Sequence, residues 1–334
     1  AIGGYNTAGN VSDAVEILDL TSNAWETGAA KPTPLANAAI AESDGLLYVV
    51  GGYNDDSPQE YSDVFEVYDP RADTWHTVAP LPRPLSGMAA AALQGEVYVF
   101  GGNDSNGDVD DAYIYDPSSD SWTSIAPLPE AISFAEATSV NAHIYIAGGW
   151  PNRRGLYRYD PHTDSWETLA PMALGRQSFA MISDGRYLYV AGGGDEWTGL
   201  NSTERYDPVT NQWRTLLPLH SGERAGSAGI YVDGRFYVVG GSGATVTGAV
   251  EQMDLASPLT GSYFSIEPVI AKPGETVDCS IVLHNPSAQD KPTNWTHDLP
   301  VVLRYVEGSA TGGAVYNPAE QALHWSGTVP QNAL

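Results

Sequence analysis

Three aromatic side chains, Tyr53, Trp150 and Trp197, stand close behind pairs of glycines, and acidic residues accompany them: Asp55, Asp56 and Glu60 in one segment, Asp195 and Glu196 in another. Exposed rings beside carboxylates suit stacking and hydrogen bonding to sugar rings or peptide side chains. Arg176, Glu223 and Arg224 each precede a run of small residues, and a guanidinium so placed could clamp a carboxylate through two parallel hydrogen bonds. Glu136 and Arg83 are further polar groups expected near the same mouth. Asp104, Asn106, Asp108 and Asp110 alternate as oxygen ligands do in calcium loops. Val109 replaces the required glycine, however, and no terminal glutamate follows, so a solvated acidic hairpin is the reading and calcium the alternative. No nucleophile triad, phosphate loop or zinc spacing appears, and neither catalytic residues nor metal ligands are assigned.

These residues depend on a repeat for their placement. Glycine pairs begin at Gly3, Gly51, Gly101, Gly148, Gly192 and Gly240, at intervals of 48, 50, 47, 44 and 48 residues. Each closes a strand-like apolar run, and the period is that of one propeller blade. A second mark recurs with it: an Asp followed six residues later by Trp, at Asp19 and Trp25, Asp69 and Trp75, Asp116 and Trp122, Asp160 and Trp166, and Asp207 and Trp213. Four of these pairs begin Tyr-Asp-Pro, the chemistry of a tight turn in which Asp bonds the backbone ahead and Pro fixes φ. Within residues 85–128 the pattern predicts four strands: Gly87 to Leu93 innermost, then Glu96 to Phe100, Ala112 to Tyr115, and one from Trp122 to Ile125.

With its glycine pair, tyrosine and tryptophan at these offsets, the chain resembles the kelch family of β-propellers over roughly residues 1 to 255. The resemblance implies a ring of blades whose second-to-third-strand loops and inner-strand lead-ins meet at one mouth. It leaves function open, since such propellers serve as enzymes, adhesins and binding platforms. One enzymatic precedent, the galactose-oxidase-like type, needs a copper site with two Tyr, two His and a Cys. Here the single Cys279 lies beyond the propeller, and the histidines are not grouped. The other, the sialic-acid mutarotase, uses an acid and an arginine. Glu223 and Arg224 would imitate that pair only from a loop, because adjacent residues of a strand face opposite ways.

The first repeat opens at Ala1 and Ile2, already at the end of a second strand, and the sixth has Thr260 where Trp is expected. The chain therefore reads as a fragment whose ring is completed by an N-terminal segment, with closure removing open sheet edges. Beyond Leu255 the period stops. Strands expected at Tyr263 to Ile270, Thr276 to His284, Val301 to Val306 and Ala322 to Trp325 resemble bacterial surface-protein modules of immunoglobulin-like type. That resemblance implies a further strand after Leu334.

Composition narrows the partners. With 41 acidic and 15 basic side chains the formal charge is −26, a field that repels phosphate backbones and excludes nucleic acid. No apolar run reaches the ~20 residues of a membrane span. The lone Cys279 forms no intrachain disulfide.

The expectation is thus an all-β chain: a six-bladed kelch β-propeller over 1–256 and a small immunoglobulin-like β-sandwich over 257–334. Its expected role is noncatalytic and extracellular or cell-surface, binding glycan or protein through Tyr53, Trp150, Arg176, Trp197, Glu223 and Arg224, without a cofactor, inside a larger secreted polypeptide. The alternatives are an accessory domain of a secreted hydrolase such as a protease, and a sialic-acid mutarotase-like sugar enzyme.

Overall fold

The computed structural model describes residues 1–334 apart from 7, 23, 55–59, 195–197, 244–247, 256–262, 268–277, 283–290, 299–314, 318–321 and 330–334. None of the described residues is helical, and no helix is long and apolar enough to cross a membrane. Five antiparallel sheets of four or more strands form the blades of an all-β propeller. The first comprises Ala39–Ser43, Leu46–Tyr53, Tyr61–Asp69 and Thr74–Thr77, and the second Ala89–Leu93, Glu96–Phe100, Ala112–Asp116 and Ser121–Ser124. The third comprises Glu136–Val140, His143–Ala147, Leu156–Asp160 and Ser165–Thr168; the fourth Ala180–Ser183, Leu188–Ala191, Thr203–Asp207 and Gln212–Thr215. The fifth begins with Ala228–Val232, Arg235–Val239 and Val250–Asp254, then continues through Tyr263–Glu267 and Asp278–Val282.

The count corrects the expectation of six blades to five. The first repeat supplies only a two-stranded sheet, Glu16–Asp19 with Ala24–Thr27, and an isolated bridge from Ile2 to Val15. On the first and fifth inner strands Ile40, Ile230 and Tyr231 are correspondingly exposed. Beyond the fifth blade, Lys291–Asp298, Ala322–Val329 and Val315–Asn317 form a separate three-stranded sheet. Two of the four strands expected of a sandwich instead extend the fifth blade, and Val301 to Val306 lies outside the described residues. No sandwich is formed among the described residues.

The periodic residues are the joints between blades. The first glycines Gly3, Gly51, Gly101, Gly148 and Gly192 have positive φ and stand where a Cβ would strike the carbonyl of the next blade's lead-in residue; at Gly101 the clearance to the Ile132 oxygen would be 2.2 Å, and at Gly148 that to the Arg176 oxygen 2.3 Å. No side chain fits there. The second glycine donates its N–H to that same carbonyl: Gly52 to Leu85, Gly102 to Ile132, Gly149 to Arg176 and Gly193 to Arg224, at 2.8 to 2.9 Å.

At the rim, the Asp-to-Trp hairpin closes a clamp on an alanine of the preceding connection. Trp122 Nε1 donates to the Ala79 carbonyl at 2.9 Å, while Asp120 accepts from the Ala79 N–H and the Tyr115 hydroxyl, both at 2.8 Å. The same clamp holds Ala29 through Trp75, Asp73 and Tyr68, Ala126 through Trp166, Asp164 and Tyr159, and Ala170 through Trp213, Asn211 and Tyr206. In Asp120→Ala two of these bonds are lost and the Ala79 N–H is left without its acceptor. A loss of about 1–3 kcal/mol is expected, read as a lower denaturant midpoint; an unchanged midpoint would deny the clamp its role.

Candidate functional site

One mouth of the ring is built by a repeated bridge. The residue after each glycine pair bonds the residue after its own blade's lead-in position: Tyr53 with Ala36, Asn103 with Ser86, Trp150 with Ser133, Gly194 with Gln177 and Ser242 with Ala225. One step further inward, Asn37, Gly87, Phe134, Ser178 and Gly226 all have positive φ. They are joined blade to blade: Gly87 N–H donates to Asn37 O at 3.0 Å, Phe134 to Gly87 at 2.7 Å, Ser178 to Phe134 at 3.0 Å and Gly226 to Ser178 at 2.6 Å. This hydrogen-bonded arc fixes the lip of the channel.

Against that arc lies a cavity of about 370 Å³ shared by the second, third and fourth blades and lined by Asn103, Gly107, Asp108, Ser133, Phe134, Trp150 and Gln177. Its size falls in the usual range for small-molecule sites. Trp150 is 41 % exposed, and the Arg153 guanidinium stacks on its ring at 4.1 Å from the centroid. Asp108 accepts a 2.7 Å hydrogen bond from Ser133 Oγ, which leaves its second oxygen for a ligand. The buried Asn103 Oδ1 has no hydrogen-bond partner, an uncompensated acceptor of the kind a ligand donor would satisfy.

The strand that starts two residues after the lining residue Phe134 opens with Glu136. It is the inner strand of its blade and packs on the inner strands of the second and fourth. Glu136 keeps partial contact with solvent, but the surrounding chain desolvates it enough to push its carboxyl up to about 8. Such a group holds its proton at neutral pH and can both give and take one.

The expected residues are not all brought together. Trp150 lines the cavity. Tyr53 lies on the first blade's edge of the mouth, packed edge-on against Tyr61 at 5.5 Å, and Glu223 is exposed beside the fifth blade. Trp197, with Asp55, Asp56, Asp195 and Glu196, lies outside the described residues. Arg176 and Arg224 are a correction. They are 0 % and 1 % exposed, each in an ion pair with a buried glutamate, Arg176 to Glu204 at 2.7 Å and Arg224 to Glu251 at 2.6 Å. Their positions are the lead-in core positions that Leu35, Leu85 and Ile132 fill in other blades. Burial lowers the Arg176 pKa, and Glu204 opposes that shift. Neither arginine is available to a ligand.

The acidic hairpin is tied internally. Asp104 pairs with Arg83, which also bonds Asp111 at 2.8 Å, and Asp108 turns to Ser133. Among the described residues no group of three or more His, Cys, Asp or Glu side chains is placed to hold a metal ion. Sequence reasoning missed Asn103, Asp108 and Gln177 as a lining set. Asn103 was legible as the counterpart of Tyr53 and Trp150 after its own glycine pair.

The family model of the KLHDC2/KLHL20/DRC7 Kelch-repeats domain matches residues 1–175 and, in a second register, 37–241. Among solved structures, the "Structure of YjhT" is similar with a TM-score of 0.58 and 17% sequence identity, covering 77% of this chain and 96% of that one. The likeness shows the fold. The expectation of a noncatalytic chain is not kept, since the fold shared with that structure gives it no support.

Proposed function

The chain belongs to the kelch-repeat family, and on that premise we propose that its mouth cavity binds a reducing sugar and speeds exchange between the sugar's anomers. The observation that carries this reading is the composition of the cavity: an exposed Trp150 face beside Asn103, Asp108 and Gln177, next to a strand bearing Glu136. Apolar sugar faces stack on indole, and the amide and carboxylate groups receive or give hydrogen bonds to hydroxyls.

Anomer exchange asks for no cofactor. A base takes the proton of the anomeric hydroxyl, the C1–O5 bond opens as an acid protonates the ring oxygen, and reclosure on the other face of the aldehyde returns both protons. Asp108, with one oxygen held by Ser133, is assigned the base role. Glu136, protonated at neutral pH, is assigned the acid role. Likeness to YjhT supports this reading over adhesion. Export of the protein is part of the proposal and rests on the acidic composition, −26 overall.

Binding tests the first half. Ligand-detected NMR with glucose is expected to give saturable transfer, and Trp150→Ala to weaken it by about tenfold or more, as loss of an aromatic stacking surface costs ~1–3 kcal/mol. Equal affinity in the variant would remove the sugar from this cavity.

A further inference from the structure

The charges around the cavity select among sugars. Asp108 is the one charged side chain among its lining residues, and the hairpin it belongs to carries Asp104, Asp110 and Asp111 as well. Two cations stand outside the lining: Arg83 is paired with both Asp104 and Asp111, and Arg153 stacks on the ring of Trp150. The two arginines that could have received a sugar carboxylate, Arg176 and Arg224, are buried on Glu204 and Glu251. A carboxylate brought into this cavity would meet Asp108, the one charged side chain of the lining, whereas an ammonium group would meet a counter-ion.

We infer that the site takes a 2-amino sugar in preference to a neutral one, and a neutral one in preference to a sugar acid. The inference rests on the sugar reading above and on its assignment of Asp108 to the anomeric hydroxyl. The C2 substituent is the neighbour of that hydroxyl on the ring, so the free oxygen of Asp108 reaches an ammonium at C2 from the same position. Ser133 holds the other oxygen and fixes the carboxylate in that orientation. Like charge opposite Asp108 is penalised by the same Coulomb interaction that favours the ammonium.

Calorimetric titration of the whole chain with glucosamine, glucose and glucuronic acid tests this on one ring stereochemistry, at about pH 6, where the sugar amine is protonated and the sugar acid ionised. Glucosamine is expected to bind about fivefold tighter than glucose, and glucuronic acid about fivefold weaker, the scale of a partly exposed ion pair. Asp108→Asn keeps the shape and an acceptor for Ser133, and is expected to bring the glucosamine-to-glucose ratio towards one. In the unaltered protein, salt at roughly 0.5 M is expected to narrow the same ratio by screening. Glucuronic acid binding as tightly as glucosamine, or a ratio insensitive to both Asp108→Asn and salt, would overturn the inference while leaving the sugar reading in place. Silence from all three sugars would sink the sugar reading, and this inference with it.

Discussion

Glu136→Gln is expected to slow anomer exchange by a factor of about 10²–10⁴, the usual contribution of a positioned general acid, while leaving sugar affinity within a few-fold of the parent. Glutamine keeps the size and the hydrogen-bonding reach of the side chain but has no proton to give to the ring oxygen. The residue lies outside the lining set, on the inner strand that begins beside it, so its proton would reach the ring oxygen through one water and affinity should depend on it little. A variant that exchanges anomers as fast as the parent would remove Glu136 from the chemistry.

The same substitution is expected to stabilise the fold in alkaline solution. The Glu136 carboxyl is raised from an ordinary value of 4.5 to about 8 by desolvation. Below pH 4.5 both folded and unfolded chains carry the proton, and this group does not alter the balance. Between 4.5 and 8 the unfolded chain releases the proton that the folded chain keeps, so rising pH favours unfolding, and the penalty is complete above about 8. Glu136→Gln abolishes that penalty, and its stability should exceed the parent's increasingly from pH 5 to pH 8. A stability gained at the expense of activity marks a functional position.

The largest structural effect is expected from Glu204→Ala. Its carboxylate accepts from Arg176 at 2.7 Å and from the N–H groups of Ala173 and Leu174 at 2.8 and 3.2 Å, and both members of the ion pair are buried. Removing it leaves a guanidinium with 0 % exposure held only by carbonyl and hydroxyl oxygens of Gly192 and Ser202. Breaking a buried pair from one side costs about 3–5 kcal/mol. The other blades show what replaces the pair: Leu85 with Tyr113 and Ile132 with Tyr157 occupy the same two places in apolar clusters. The double variant Arg176→Leu with Glu204→Tyr should recover most of the loss, because well-packed apolar residues substitute for buried ion pairs at little cost. Denaturant unfolding of the three proteins decides it; a single variant as stable as the parent, or a double variant no better than the single, would contradict the latch.

The architecture was legible because its signals repeat. Gly51 and Gly52 read as the close of a strand, and the structure adds the reason for glycine: the Leu85 carbonyl of the next blade stands 2.6 Å from where the Cβ of Gly51 would be. Trp122 read as a mark of the repeat and proves to be a donor to Ala79 across the joint. The blade count was not legible in the same way, since a glycine pair marks a second strand whether or not a full blade is built around it, and the first repeat forms only a two-stranded sheet. Arg176 and Arg224 misled because position in the repeat was read without its partner. Glu204 and Glu251, each three residues before the repeat's Asp, replace Tyr113 and Tyr157, and that paired exchange of Leu and Tyr for Arg and Glu identifies an interior ion pair. The cavity was the least legible part. Asp108, Phe134 and Gln177 come from three blades, and their meeting depends on the positive-φ arc from Asn37 to Gly226, which no single repeat encodes.

Two-dimensional exchange NMR between the α and β anomeric protons of glucosamine, recorded with catalytic amounts of the protein from about pH 5 to pH 9, tests the central claim most directly. The account predicts exchange faster than in buffer, proportional to protein concentration, and falling as pH rises through about 8 with the loss of the Glu136 proton. An exchange rate equal to that of buffer at every pH, from protein that titrates the same sugar, would contradict it.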